Sequence, residues 1–196
     1  NVDRRPHVCK QWYLTDLHHP VNSNLIDIGV TLPWSMGYDG SGVVIAVLDD
    51  GLDYKNQDIM ENYDEAASYD FVDYDKDPMP EKEHLSTSHG TKCAGIIAAA
   101  KNRFCGIGVA FNSSIGGIRM LNLKTTDSIE ASALSYQSNY IDIYSCNWGP
   151  KDDGLRFGKP GPLTLKALRM GATKGRRSLG SIYVWSSGNG GSKGDD

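Results

Sequence analysis

The sequence predicts an α/β fold with a mainly parallel sheet, and three observations favour it. Apolar runs such as Val43 to Leu48 are short and continuous, which is typical of parallel strands covered on both faces. Segments of helical pattern separate these runs, so that strands and helices alternate along the chain. The first run ends at Asp49-Asp50-Gly51, where the carboxyl end of a strand would border a ligand crevice.

Local sequence patterns predict the individual strands and helices. The first strand comes after the turn Asp39-Gly40-Ser41-Gly42, and a helix-forming stretch rich in alanine follows His89. A later helix has apolar residues at helical spacing, and the last helix begins at a proline, which suits the first helical position. The predicted strands are 43–48, 115–120, 141–146 and 181–185, and the predicted helices are 94–100, 127–139 and 162–173.

Composition narrows the class of protein. The 196 residues are 39% hydrophobic and 22% charged, which is ordinary for one globular unit. A formal net charge of -4 excludes a broadly basic nucleic-acid surface, so we expect no nucleic-acid partner. No apolar run approaches the roughly 20 residues that span a bilayer, so we expect no membrane segment in this chain.

The cysteines and one sequon bear on the cellular compartment. The four cysteines show no CxxC spacing, which argues against a zinc site and leaves disulfide pairing open. Asn112-Ser113-Ser114 matches the acceptor pattern for N-glycosylation, and it is compatible with a secreted protein.

Three polar residues are candidates for catalysis. His89 stands where a helix begins, with Ser86, Thr87 or Ser88 available as N-cap, so its imidazole could face a cleft. Asp49 ends the first strand, and Asn189 lies in the Gly-rich turn after the last strand. Each has a structural alternative: His89 as a capping residue, and Asp49 as a turn residue before glycine.

The order of these residues suits acyl transfer. A carboxylate can orient an imidazole, the imidazole can take a proton from a hydroxyl nucleophile, and an amide can donate to the developing oxyanion. The order Asp, then His, is the one found in subtilisin. An alternative class, a Rossmann-type nucleotide binder, lacks G-x-G-x-x-G after the first strand.

An acidic loop at 64–83 is a candidate cation site. It carries Asp70, Asp73, Asp75 and Asp77, and carboxylates on a short irregular segment can converge on a hard cation such as Ca²⁺. A solvated charged loop explains the same residues, and spacing alone favours that interpretation.

The motifs together resemble one protease family. VLDDG (47–51), SHGTKCAG (88–95), DIYSCNWGPKDDG (142–154) and GSIYVWSSGNGG (180–191) are similar to segments of subtilisin-like serine proteases, in particular the kexin and furin group of proprotein convertases. The resemblance implies a subtilisin-like three-layer fold, with 1–196 as part of one peptidase S8 catalytic domain and no second domain. It also implies truncation before the segment that carries the nucleophilic serine.

The resemblance implies a role for each matching residue. Asp49 and His89 would be the triad acid and base, and Asn189 the oxyanion donor. Substrates would be proproteins cleaved after paired basic residues, an inhibitory propeptide would be a further partner, and the location would be the secretory pathway or outside the cell. Implied substrate-binding residues are Asp50, Glu130, Asn147, Trp148, Gly149 and Asp152.

Calcium is the implied cofactor, and Cys93 would be unpaired. Implied ligands form three sets: Asp58 with Asn102, Phe104 and Gly106; Asp70 with Asp75 and Asp77; and Asp152 with Asp195.

The chain also departs from the family pattern. No Gly-Thr-Ser occurs in it, Gly158 replaces a residue that is acidic in some members, and Asn147 replaces a serine. An alternative hypothesis is therefore a catalytically inactive isoform or pseudoenzyme that retains substrate or calcium binding.

Overall fold

A five-stranded parallel sheet organises the chain, with helices packed on both of its faces. A computed structural model describes residues 11, 13–14, 27–81, 88–103, 106–121, 125–153, 155 and 158–191. Its helices are α1 (Thr31–Ser35), α2 (His89–Ala98), α3 (Asp127–Ser135) and α4 (Pro162–Ser178). Its strands are β1 (Val44–Asp49), β2 (Tyr69–Asp70), β3 (Ser114–Arg119), β4 (Ile143–Cys146) and β5 (Ile182–Trp185).

The strand order is β2-β3-β1-β4-β5, and every pairing between these strands is parallel. The register places Asp49 beside Arg119, and Leu48 beside Cys146. Because all five strands run the same way, their carboxyl ends share one edge of the sheet. Asp49, at the end of β1, therefore lies at that edge, and the segments that follow β4 and β5, which hold predicted substrate-binding residues and Asn189, start from it.

The burial of strand β1 explains why this strand could be predicted from the sequence. Its side chains alternate between two cores: Ala46 and Leu48 pack with α3 and α4, whereas Ile45 and Val47 pack with α2. Both faces are thus buried, and the strand is apolar throughout rather than alternating. Helix, sheet and helix form three layers.

The α3–α4 layer contains the larger core. Leu134 and Ala133 from α3 and Ala167 from α4 contact the sheet beside the buried ring of Tyr144. The Tyr144 ring stacks on Tyr183 at 5.1 Å, which joins β4 to β5.

The predicted α/β class and the four predicted strands are confirmed, with boundaries that shift by at most two residues. Three short elements were not predicted: the five-residue α1, the two-residue β2 and a three-residue 3₁₀ helix at Glu65–Ala67. Helix α4 extends past its predicted end at Thr173, but its regular geometry stops at Gly175, where Arg176 and Arg177 take positive φ. Among the described residues, no helix is long and apolar enough to cross a membrane.

Candidate active site

Asp49 and His89 form a hydrogen-bonded acid–base pair. Nδ1 of His89 lies 2.7 Å from Oδ2 of Asp49. The Asp49 side chain is 1% exposed, whereas that of His89 is 59% exposed. One edge of the imidazole is therefore fixed by a buried carboxylate, while much of the side chain faces solvent.

Asp49 is held by a second contact. Its Oδ1 accepts the backbone N–H of Asp50 at 2.7 Å. Burial raises the pKa of the Asp49 carboxyl, and the hydrogen bonds from Asp50 and His89 oppose that rise. The pair has the arrangement in which a carboxylate selects one tautomer of a histidine and stabilises its protonated form.

Close packing of α2 on the end of β1 makes the pair possible. A Cβ on Gly90 would collide with the carbonyl oxygen of Gly51 and would lie 2.8 Å from Cβ of Asp49. Only glycine permits that approach at the second residue of the helix. Thr91 strengthens the contact, since its Oγ1 accepts the N–H of Asp53 at 2.9 Å.

Asp50 supplies the cap that α2 lacks locally. Its Oδ2 accepts the N–H of His89 at 3.1 Å, and its Oδ1 accepts the N–H of Gly90 at 2.8 Å. Ser88 makes no side-chain cap bond, and Ser86 and Thr87 lie outside the described residues. The carboxylate neutralises the positive end of the helix dipole at the residue that carries the imidazole.

Cys93 lies one helical turn below His89. Its Sγ is 3.8 Å from Nδ1 and 3.9 Å from Nε2 of the imidazole. Within the described ranges it forms no disulfide, in agreement with the prediction. Burial, followed by the charges of Asp49 and Asp50, raises the pKa of the thiol to about 11. At neutral pH the side chain is therefore a neutral thiol that packs against the ring, rather than a competing nucleophile.

The segment after β4 forms the second part of the site. Ser145 Oγ donates to Asn147 Oδ1 at 3.2 Å, while Nδ2 of Asn147 is buried and has no hydrogen-bond partner among the described residues. The rings of Trp148 and Trp185 lie 4.5 Å apart, and Nε1 of Trp185 donates to the Trp148 carbonyl at 2.6 Å. These contacts tie the segment after β4 to the end of β5.

A cavity of about 460 Å³ opens beside the two tryptophans. Glu130 on α3 is the one acidic residue among those that line the cavity. Its Oε2 accepts a hydrogen bond from the Thr164 hydroxyl at 3.1 Å. Trp148, Gly149 and Lys159 also line the cavity. Three of the six predicted substrate-binding residues thus line one concave site.

The backbone of Asn189 is hydrogen-bonded to the side chain of Asp152. The N–H of Asn189 donates to Oδ2 of Asp152 at 2.9 Å, and Gly188 before it has a φ of +93°, which glycine adopts without strain. Asn189 is exposed. Only β4 separates its strand, β5, from the strand that ends in Asp49.

Asp58 and Asn102, from the first implied calcium set, are in direct contact. Nδ2 of Asn102 donates to Oδ1 of Asp58 at 2.9 Å. The Asp58 carbonyl accepts the N–H of Ala100 at 2.7 Å, which brings the end of α2 to the same corner. Gly106 begins the following described segment, and Phe104 lies outside the described residues. Carboxylate and amide oxygens at one corner fit the ligands that Ca²⁺ prefers.

Two carboxylates of the acidic loop are paired with an arginine from outside the loop, which the sequence analysis did not predict. Arg119, at the end of β3, donates to Oδ2 of Asp70 at 2.6 Å and to Oδ2 of Asp73 at 2.7 Å. Burial lowers the pKa of this guanidinium, but the hydrogen bonds to Asp73 and Asp70 outweigh burial and raise it. Asp70 is therefore satisfied by an arginine, which fits a structural ion pair better than an open calcium ligand.

Asp75 and Asp77 remain exposed on the same loop. Each accepts a backbone N–H two residues ahead, that of Asp77 at 2.8 Å and that of Met79 at 3.1 Å. Asp195, the partner implied for Asp152, lies outside the described residues. Within the described ranges, the one group of three His, Cys, Asp or Glu side chains with donor atoms within 4.8 Å of one another is Asp49, His89 and Cys93.

A layered α/β sheet with a buried aspartate and an exposed histidine at its carboxyl edge defines a protein of the subtilisin-like class. Residues 40–196 match the model of the subtilase family, peptidase S8. The chain therefore belongs to the subtilase family. The predicted family and the predicted subtilisin-like fold are both confirmed.

Individual relatives refine the comparison. The chain is 50% identical to a PC3-like endoprotease, variant B, of Hydra vulgaris over all 196 residues, and this covers 28% of that protein. It is 50% identical to human proprotein convertase subtilisin/kexin type 4 over 97% of the chain, which covers 25% of that protein. The chain thus spans about a quarter of the length of these relatives.

A solved structure supports the same fold. The serine protease of Aeromonas sobria aligns with a TM-score of 0.66 at 28% identity, covering 79% of this chain and 26% of that one.

Proposed function

We propose that this chain is part of a calcium-dependent serine endopeptidase of the proprotein convertase type, which cleaves proproteins after paired basic residues. The observation that carries the proposal is the 2.7 Å contact between the buried Asp49 carboxylate and His89 Nδ1. The subtilase family match and the 50% identity to convertases support it.

In the proposed reaction, His89 acts as general base and then as general acid. With its Nδ1 proton shared with Asp49, the other ring nitrogen, Nε2, can take the proton of a serine hydroxyl as that oxygen attacks the peptide carbonyl. The protonated ring then gives its proton to the leaving amine. Asp49 stays ionised and stabilises the imidazolium. The serine would lie in a segment of the complete protein outside these 196 residues.

Asn189 is the proposed donor to the oxyanion that forms on the carbonyl oxygen. Its position in a Gly-rich turn, held by Asp152 through the backbone, leaves the side-chain amide exposed. A donor fixed before the reaction begins stabilises the developing charge without reorganisation.

Acidic side chains around the cavity are the proposed source of specificity. Glu130 lines the cavity, and Asp152 packs below the Gly188 turn. Asp50 already accepts two N–H groups, but a carboxylate offers about four acceptor positions and so can still bind a cation. Negative charge at these positions would favour arginine or lysine side chains of a substrate.

Calcium is the proposed structural cofactor. Asp58 and Asn102 would hold it, with carbonyl groups from the segment that includes Gly106. The ion would join that segment to the segment between β1 and β2, which holds Asp58, and would take no part in proton transfer. Chelation should therefore lower the thermal stability of the complete protein.

We further propose that the protein acts in the secretory pathway or outside the cell, and that an inhibitory propeptide is one of its partners. The convertase relatives support both points, because their substrates, as their name states, are proproteins.

One assay tests the proposed activity. The complete protein is incubated with a fluorogenic peptide that ends in Arg-Arg, with and without calcium. We expect hydrolysis that His89→Ala abolishes and Ser88→Ala, a change at the half-buried neighbouring residue, leaves within about a factor of two. Absence of hydrolysis, or hydrolysis that survives His89→Ala, would favour the inactive pseudoenzyme instead.

A further inference from the structure

The turn before β3 carries a modification signal that the proposed chemistry does not use. Asn112-Ser113-Ser114 is the one Asn-x-Ser/Thr sequence in the 196 residues, and its middle residue is not proline. Asn112 is exposed, in the turn that leads into β3 at Ser114.

The sheet register separates this turn from the candidate active site. Ser114 pairs with Val44 at the start of β1, and Arg119 pairs with Asp49 at its end. Five strand residues at about 3.3 Å each span about 17 Å. Asn112 therefore lies at the amino edge of the sheet, opposite the edge that holds His89 and the segment after β4. A large group attached there would leave substrate access unchanged.

The local contacts leave one amide hydrogen of Asn112 available. Its Nδ2 donates to Oδ2 of Asp39 at 2.6 Å, and its backbone N–H donates to the Asp39 carbonyl at 3.0 Å. A primary amide has two hydrogens, so this contact uses one of them. Hydrogen bonds from Ser41, and then from Asn112, lower the pKa of the Asp39 carboxyl, which keeps it an acceptor.

We propose that Asn112 carries an N-linked oligosaccharide, an inference that rests on the proposed secretory location. The amide nitrogen would form a C–N bond to the anomeric carbon of an oligosaccharide carried on a lipid diphosphate. The bond between that carbon and the diphosphate breaks, and the displaced amide proton leaves with the lipid diphosphate. The remaining N–H still donates to Asp39, so the turn keeps its structure.

The burial of the flanking residues fixes when transfer must happen. Ser113 is 1% exposed and its hydroxyl donates to the Ala110 carbonyl, while the N–H of Ser114 donates to the Val43 carbonyl. An enzyme that has to bind the Asn-x-Ser backbone cannot reach it in the folded sheet. Transfer therefore precedes folding, and the folded protein is not an acceptor.

Translation in the presence of microsomes tests the site. The complete protein is made behind a supplied secretion signal, so that entry into the lumen does not depend on its natural location. We expect the wild type to carry one peptide-N-glycosidase-sensitive glycan more than Asn112→Gln and Ser114→Ala. Ser113→Ala should retain that glycan, and Ser113→Pro should lose it. Equal mobility of the wild type and Asn112→Gln would overturn the proposal.

Two further readouts separate this inference from the proposed activity. The folded, unglycosylated protein, added to detergent-permeabilised microsomes so that it can reach the lumenal transferase, should gain no glycan; modification at that stage would overturn the proposed order of events. Hydrolysis of the Arg-Arg peptide by Asn112→Gln should stay within a factor of two of the wild type. A loss of more than tenfold would overturn the placement of the glycan away from the site. Glycosylation of a protein without peptidase activity would overturn the proposed function alone.

Discussion

Strands β1 and β5 belong to the same parallel sheet and have similar apolar sequences, yet their environments differ. Five of the six residues of β1 are buried, whereas three of the four residues of β5 are exposed. Val47 is 2% exposed and Val184 is 54% exposed. A buried strand and an exposed strand can therefore have the same apolar sequence pattern. The pattern shows that a strand is able to be buried, but it does not show which elements pack on it.

The same contrast divides the candidate site. At the end of β1, both oxygens of Asp49 and both oxygens of Asp50 have hydrogen-bond partners within the described residues. Beyond β4, Nδ2 of Asn147 is buried and finds no hydrogen-bond partner in the part of the chain that the structure describes. The carboxylate oxygens of the acid–base half of the site therefore each have a hydrogen-bond partner, whereas the half that would bind substrate and oxyanion retains an unsatisfied polar group among the described residues. Four sets of variants probe this difference.

The largest effect is expected from Asp49→Asn in the complete protein. Loss of the carboxylate removes the partner that fixes the His89 tautomer, so kcat should fall by about 10⁴. Stability should move the other way. Because burial raises the pKa of Asp49, the native state holds the carboxyl proton more tightly than the unfolded chain does. The free energy of unfolding therefore falls as pH rises from the pKa of the unfolded state through the higher pKa of the native state.

The asparagine variant cannot ionise and should lose that pH dependence. Its free energy of unfolding near neutral pH should then exceed that of the wild type, as measured by urea titration at several pH values. A less stable variant with the wild-type pH slope would contradict the proposed burial of a charged carboxylate.

Asn189→Ala should have the next largest effect. Removing one oxyanion donor typically lowers kcat by about 10²–10³ and leaves KM nearly unchanged. Ser187→Ala, an exposed change in the same turn, is the matched control and should stay within a factor of two. Steady-state kinetics distinguish the two, and equal losses would indicate that the turn, rather than the amide, matters.

Gly90→Ala and Gly95→Ala test the packing of α2 on β1. A Cβ at Gly90 collides with Gly51, whereas a Cβ at Gly95 meets nothing within 4 Å. We expect the first change to cost about 3 kcal/mol and the second to stabilise by about 0.5–1 kcal/mol, since alanine is the better helix former. Urea unfolding of the two variants measures both, and similar values would contradict the close contact between helix and strand.

Val47→Thr and Val184→Thr give the smallest expected effects and compare the two strands directly. A hydroxyl buried at Val47 should cost about 1–3 kcal/mol. The same change at the exposed Val184 should stay within about 0.5 kcal/mol in this chain. A large loss at Val184 would mean that β5 is covered after all.

Much of the fold was predictable because its signals are local. The strands that pair around β1 are apolar runs between turn residues, and Pro162 and the Gly175 break bound α4 closely. Strand β2 was missed because Tyr69–Asp70 lies in an acidic loop and joins the sheet through its pairing with β3. No local pattern announces a strand of two residues.

The candidate site was predictable in its residues but not in its contacts. The order of Asp49, His89 and Asn189 pointed to the chemistry. The caps and counter-charges were not predictable, because Asp50 reaches His89 across 39 residues and Arg119 reaches Asp70 across 49. Such pairs depend on the sheet register, and that register depends on packing rather than on spacing along the chain.

Nuclear magnetic resonance of the ring protons of His89 tests the central claim most directly. If Nδ1–H is shared with the buried Asp49 carboxylate, its proton should appear strongly downfield, exchange slowly, and disappear in both Asp49→Asn and His89→Ala. The control Asp39→Asn, at the opposite edge of the sheet, should leave it in place. A His89 ring proton that is absent in the wild type, or that persists unchanged in Asp49→Asn, would contradict the acid–base pair.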